Sequence, residues 1–328
     1  MDDARTFALG VDIGGTKVAA GLVDTEGAIL FQTRVAMPAR GNAAEGFGAV
    51  RSAIEAVFAA RPEARAGLTG IGICAPGPLD PATGVILNPP NVPCWRNFAL
   101  AAEVERVFGL PARVDNDGNA AGLAEAIWGA GVGYRNVFYA TLGTGVGTGI
   151  IFDGRIYHGR TGSAAEGGHV TIDYRGPLCG CGKRGCIEMY CSGPAIARRA
   201  RERLAELQPT ESGPGTSKML ALAGGTADGV SAEIVADSFR QGDPLAAEIL
   251  QETADFLAIW AGTIVDLLEP DVFIFGGGLA QVMSAFFERI REQLPMWCEN
   301  QRCGGMPMVL AEYAADAGIA GAAALCRI

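Results

Sequence analysis

Residues 7–24 and 137–154 follow one plan, and that duplication limits the folds open to this chain. The first copy runs Phe7-Ala-Leu-Gly-Val-Asp12-Ile-Gly14-Gly15-Thr16, then Lys17-Val-Ala-Ala-Gly-Leu-Val-Asp24. The second runs Val137-Phe-Tyr-Ala-Thr-Leu-Gly143-Thr144-Gly145, then Val146-Gly-Thr-Gly-Ile-Ile-Phe-Asp153-Gly154. Each reads as an apolar strand, a Gly/Thr turn, a second apolar strand, and an Asp with Gly close behind. Such a repeat predicts two related lobes rather than one uniform sheet.

Glycine at the turns lets backbone N–H groups converge on an anion with no Cβ in the way. A strand follows each turn, so neither a Walker A loop nor a dinucleotide fingerprint fits, since both open a helix. An ordinary tight β-turn would use the same residues; two copies favour a phosphate site. A third cluster, Gly276-Gly277-Gly278, ends the strand Asp271–Phe275 and opens a helical stretch from Leu279 to about Leu294. Glycines between a strand and a helix N-terminus favour anions and let a flat ring approach, although a plain tight connection uses them too. Elsewhere helical patterns cover roughly 44–60, 98–108, 119–129, 193–207, 231–240, 244–268 and 315–327, with short strands at 70–74 and 112–115. Gln208–Ser217 reads as a solvated loop. The pattern is that of an α/β enzyme.

The chain's 328 residues suffice for two domains. Its formal charge of −10 repels polyanions, which excludes nucleic acid as a general partner. No apolar run approaches the roughly 20 residues that span a bilayer. Phe256–Val265, the most apolar stretch, is closed by Asp255 and Asp266 and reads as a buried helix. The N-terminus enters a strand with no basic-then-apolar leader, so a reducing cytoplasm is expected.

Nine cysteines then need an explanation other than disulfides. Three of them stand in Cys179-Gly-Cys181-Gly-Lys-Arg-Gly-Cys186-Ile-Glu188, shortly after Glu166-Gly-Gly-His169. His169, Cys179, Cys181 and Cys186 supply one imidazole and three thiolates, the donor set of a closed structural zinc site. Four protein ligands leave no position for water, so a structural staple is expected rather than Lewis-acid chemistry. Most of the other six, Cys74, Cys94, Cys191, Cys298, Cys303 and Cys326, read as small buried hydrophobes. Of the two histidines, His158 has no metal spacing and reads as a surface residue.

These motifs resemble the ROK family of sugar kinases and sugar-sensing repressors across essentially the whole chain. Asp12-Ile-Gly-Gly-Thr-Lys17 is similar to that family's first phosphate motif, and Leu142-Gly-Thr-Gly-Val-Gly147 to its second. Asn116-Asp117-Gly-Asn119-Ala-Ala resembles its catalytic segment, and the Cys179–Glu188 pattern its signature. The resemblance implies an actin/hexokinase-like (ribonuclease H-like) two-lobed α/β fold, with ATP and sugar meeting in an inter-lobe cleft. The expected parts are a small lobe at 1–116, a large lobe at 117–310, and a C-terminal helix within 311–328 returning to the small lobe. Gly318 and Gly321 would let that helix pack closely.

The same resemblance implies residue roles. Asp117 is expected as the base for the sugar hydroxyl, although it or Asn119 could instead cap the helix that follows. Asp12 would hold Mg2+ through water, with Gly14, Gly15, Thr16 and Lys17 on the phosphates; a strand-surface lysine is the plainer reading of Lys17. Gly143, Thr144 and Gly145 would contact phosphate from the other lobe, and Gly277 and Gly278 the adenosine side. Asn116, Asp117, Glu166, His169 and Glu188 would clamp the sugar, one His169 nitrogen on zinc and the other on a hydroxyl. Gly77 and Asn91 would complete the sugar site.

The implied activity is ATP-dependent phosphorylation of a hexose 6-hydroxyl, of the glucokinase type. An N-acetylmannosamine or N-acetylglucosamine kinase, or a fructokinase, is the alternative within the class. A sugar-responsive repressor would carry a helix-turn-helix ahead of the first phosphate motif, and only eleven residues precede Asp12. A homodimer or tetramer is implied as well.

Overall fold

The computed structural model describes residues 7–206 and 217–327, so the loop expected at 208–217 lies, up to residue 216, outside the described residues. Among the described residues, β1 (Phe7–Ile13), β2 (Lys17–Val23), β3 (Ile29–Ala36), β4 (Leu68–Ala75) and β5 (Ala112–Asn116) form one sheet in the order β3-β2-β1-β4-β5. β1 and β2 pair antiparallel, as do β2 and β3, whereas β4 runs parallel to both β1 and β5. A second sheet contains β6 (Asn136–Leu142), β7 (Val146–Phe152), β8 (Arg155–Ile156), β9 (Val272–Gly276) and β10 (Met308–Leu310), in the order β8-β7-β6-β9-β10. The second order is the first advanced by five. The duplication therefore extends beyond two hairpins to two whole sheets, the actin/hexokinase-like α/β architecture.

Burial follows from this topology. β1, β2 and β4 are nearly continuous apolar runs because helices cover both faces of their sheet, while edge strand β3 alternates inward and outward. One face carries the helix Ala43–Ala60, started by a capping box between Asn42 and Glu45 and packed into a core with Leu9, Val11, Ile71 and Ile73. The other face carries the C-terminal helix Ala317–Ala324, whose Ile319 and Ala323 cluster with Ala8, Ala19 and Val23. That helix lies unusually near the strands. A Cβ on Gly10 would stand 2.0 Å from the Ile319 carbonyl oxygen, and one on Gly72 would stand 1.7 Å from that of Ala322. Glycine on the strands is what admits the helix backbone.

The described residues divide into two compact units. One holds the chain up to Tyr139, Gly149–Ala165 and the chain from Ala311; the other holds Ala140–Thr148 and Glu166–Leu310. The sequence places the seam at residues 116 and 117, but the helix Asp117–Trp128 packs with the N-terminal strands. Its Ala120 backbone would touch a Cβ on Gly321 at 2.5 Å, so it and the C-terminal helix share one core. Buried Glu125 reinforces this packing by accepting from the amides of Ala130, Glu312 and Tyr313 at 3.0, 3.1 and 2.9 Å. Among the described residues, no helix is long and apolar enough to cross a membrane.

Candidate active site

In the first unit the β1–β2 turn is closed by the Gly14 amide, which donates to the Lys17 carbonyl at 2.9 Å. Gly14 therefore shapes the turn, with Gly15 half-buried and Thr16 exposed at its tip. Lys17 is exposed at the first position of β2. Gly15, Thr16, Arg40 and Asn91 line a cavity of about 760 Å3. The Asn91 carbonyl approaches Gly15 so closely that a Cβ there would meet it at 2.9 Å. Asp12, at the end of β1, accepts from the Cys74 thiol at 3.4 Å. Burial lifts its carboxyl above the ordinary range, against the opposing pull of the Cys74 thiol, Lys17 and Arg34.

Asp117 is exposed at the first residue of the helix Asp117–Trp128. The cap of that helix is Asn116, whose Oδ1 accepts from the Gly118 amide at 2.9 Å. Capping is thus discharged by Asn116, and Asn119 instead donates from Nδ2 to Asp115 at 2.9 Å. Asp117 Oδ1 also lies 2.8 Å from the Gly118 amide, which fixes the carboxylate's orientation at the helix start. Asn116 stands beside Gly77, where a Cβ would come within 3.6 Å of its Nδ2.

The reading of His158 as a surface residue is overturned. Its Nε2 lies 2.6 Å from Asp115 Oδ2, and its ring is half-buried. The hydrogen bond to Asp115 raises its pKa, against partial burial. Nothing in the local sequence signals this, because the two residues stand 43 positions apart.

In the second unit the β6–β7 turn is closed by the Gly143 amide donating to the Gly145 carbonyl at 3.0 Å. Two segments support it. The Gly193 amide donates to the Gly143 carbonyl at 2.8 Å, and the Leu279 amide to the Leu142 carbonyl at 3.1 Å. Gly277 has φ +83°, and a Cβ there would meet the Leu142 carbonyl oxygen at 2.3 Å, so glycine is required on both counts. Gly143, Thr144 and Gly278 open onto a cavity of about 820 Å3 walled by the helices Gly193–Glu206 and Ala232–Arg240. The sequence marks the glycines, but not those two helix faces, whose Ala197 and Ala236 leave the space open.

Glu188, at the start of the short helix Glu188–Cys191, reaches back to the same turn: its Oε2 accepts from the Val146 amide at 3.0 Å. Glu166 is exposed just before the turn Gly167–His169, which is held by Gly167 donating to Thr148 Oγ1 and accepting from Trp260 Nε1. The donor atoms of His169, Cys179, Cys181 and Cys186 lie within 4.8 Å of one another. A tetrahedral zinc with Zn–S of about 2.3 Å and Zn–N of about 2.05 Å separates two sulfurs by about 3.8 Å and sulfur from nitrogen by about 3.6 Å. Cys181 and Cys186 Sγ are 3.6 Å apart, and Cys179 Sγ is 3.6 Å from His169 Nδ1. The donors fit zinc in chemistry and in spacing, and all nine cysteines are free of disulfides.

Residues 8–328 match the ROK family. The chain is 39% identical to the glucokinase of Streptomyces coelicolor, covering 98% of each chain. It is 32% identical to the glucokinase of Thermotoga maritima, covering 97% of this chain and 96% of that one. Among solved structures it is similar to a ROK family glucokinase from Streptomyces griseus in complex with glucose and AMPPNP, at a TM-score of 0.80 and 36% identity over 98% of this chain and 99% of that one. Duplicated sheets, paired glycine turns, and the cluster of one histidine with three cysteines agree with that likeness from end to end, and this chain belongs to the ROK family.

Proposed function

We propose that this chain is an ATP-dependent hexose kinase of the glucokinase type, transferring the γ-phosphoryl group to the sugar 6-hydroxyl with Asp117 as general base. The observation that carries the reading is the state of Asp117: an exposed carboxylate at the start of a helix that Asn116 caps, its Oδ1 accepting from the Gly118 amide. Full-length similarity to glucokinases supports the activity.

Phosphoryl transfer passes through a loose transition state, so the protein's work is positioning and charge stabilisation. Carboxylates as a class, with a reference pKa near ~3.9, are weak bases toward an alcohol in its ground state. Asp117 therefore orients the hydroxyl and takes its proton as the phosphoryl bond forms. Asn116, Glu166, His169 and Glu188 offer hydroxyl partners, with Gly77 and Asn91 at the margin. In the second unit, Gly143, Thr144 and Gly145 meet phosphate, while Gly277 and Gly278 admit adenosine to the cavity beside them. In the first unit, Gly15, Thr16 and Lys17 meet phosphate, with Gly14 shaping the turn. Asp12 would hold Mg2+, which supplies charge neutralisation on the phosphates. His169, Cys179, Cys181 and Cys186 would hold a structural zinc. The reading carries with it a cytoplasmic location and a homodimeric assembly.

Replacing Asp117 with Ala tests the assignment: a coupled ADP-release assay over hexoses and acetamido sugars should show a loss of ~10²–10⁴ in rate. Wild-type turnover in that variant would end the base assignment. A preference for an acetamido sugar in the wild type would move the chain to the N-acetylhexosamine kinases.

A further inference from the structure

Two residues before Asp117 stands a carboxylate, paired with a half-buried imidazole, that has no part in the reaction as drawn above. Asp115 is 3% exposed near the end of β5. Its Oδ1 accepts from the Asn116 amide at 2.7 Å and from Asn119 Nδ2 at 2.9 Å. Its Oδ2 meets His158 Nε2 at 2.6 Å. One carboxylate thus holds the backbone of a sugar-clamp residue, the first turn of the helix that Asp117 begins, and an imidazole from a remote segment. Asn119 depends on it strongly, since its own Oδ1 is buried without a partner and Nδ2 alone fixes the amide.

His158 is itself held in place. It follows β8 in a segment that folds back over Asp80–Ala82, enclosing a cavity of about 410 Å3 with Gly159, Arg160 and Gly162. A Cβ on Gly162 would press on the Pro81 ring at 2.6 Å. A carboxylate this buried is costly unless each oxygen is satisfied. His158 is the donor to Oδ2, so losing it frees Asp115 to turn away from the Asn116 amide and Asn119.

We propose that His158 is a positioning residue for phosphoryl transfer, acting through Asp115 to fix Asn116 and Asp117 at the junction of β5 and its helix. It touches neither substrate nor reacting atoms. The inference rests on the reading of Asp117 as the base. A misplacement of about 1 Å in a catalytic group costs on the order of 10²-fold.

The test is steady-state kinetics of His158→Ala, His158→Gln and Asp117→Ala, with thermal melting alongside. His158→Ala should lower kcat by about 10–100-fold while hexose and ATP KM stay within about threefold of wild type. Gln, whose amide nitrogen reaches the place of Nε2, should restore most of kcat. Wild-type kcat in His158→Ala, even with a lowered Tm, overturns the proposal, and so does a loss that Gln does not rescue. If His158→Ala does not fold, His158→Asn decides, since its shorter amide reaches the place of Nδ1 and stops short of Asp115. The Asn variant should lower kcat about as far as Ala would, because its amide cannot replace the Nε2 donor at Asp115. Equal kcat in the Asn and Gln variants overturns the proposal. Asp117→Ala separates the two assignments: turnover there ends the base reading, whereas an inactive Asp117→Ala beside a normal His158→Ala ends only the positioning role.

Discussion

Glu188 accepts a hydrogen bond from the Val146 amide at 3.0 Å, so the carboxylate proposed for the sugar clamp also holds the second glycine turn. A Cβ on Gly145 would stand 2.5 Å from the same oxygen, which shows how closely the side chain lies over the turn.

Replacing Glu188 with Ala should therefore raise KM for hexose and for ATP together. The Val146 amide, left without its acceptor, costs about 1–3 kcal/mol in a partly buried setting. Glu188→Gln keeps an acceptor and should restore the ATP KM more than the hexose KM. Separate titrations of the two substrates check this, and a rise confined to hexose would break the proposed link.

Gly277→Ala should destabilise the protein by about 1–3 kcal/mol, through backbone strain at φ +83° and contact with the Leu142 carbonyl. The damage falls beside the second turn, so ATP KM should rise with hexose KM unchanged. Denaturant melts and ATP titrations are the measurements. Gly278→Ala is the contrast: a Cβ there meets nothing within 4 Å, and stability should be retained.

Metal analysis should find about one zinc per chain, held by His169 and the three cysteines around it. Serine at Cys181 should lower that content and the Tm together, and a strong chelator should lower the Tm of the wild type. Full activity in metal-free protein supplied only with magnesium would remove zinc from the account.

Asp115 gives the stability of the protein a pH dependence whose sign can be worked out. The hydrogen bond to Asp115 raises the folded-state pKa of His158 above its ordinary value of 6.5. The folded state then binds the proton more tightly than the unfolded chain does. This contribution is fully present below about 6.5 and is lost as pH rises through the higher folded value. The Tm advantage of wild type over His158→Gln should shrink across that alkaline range. An advantage that is constant with pH would mean the imidazole does not titrate in the pair.

What the sequence determined by itself was local and periodic. Two glycine hairpins with matching flanks established the duplication, because a strand–turn–strand unit is written in consecutive residues. Three cysteines and a histidine within a short span exposed a candidate metal-ligand set for the same reason. Helix positions such as 244–268 were legible from apolar patterning, which covers the whole element. Only the tertiary structure decided the rest. It brought His158 to Asp115 across 43 positions and Glu188 to Val146 across 42. It moved the unit boundary past the helix Asp117–Trp128, since that helix takes its place from the C-terminal helix far along the chain. Contacts of this kind depend on the paths of several elements at once. A carboxylate and an imidazole distant in sequence carry no mark of their partner until the chain has folded.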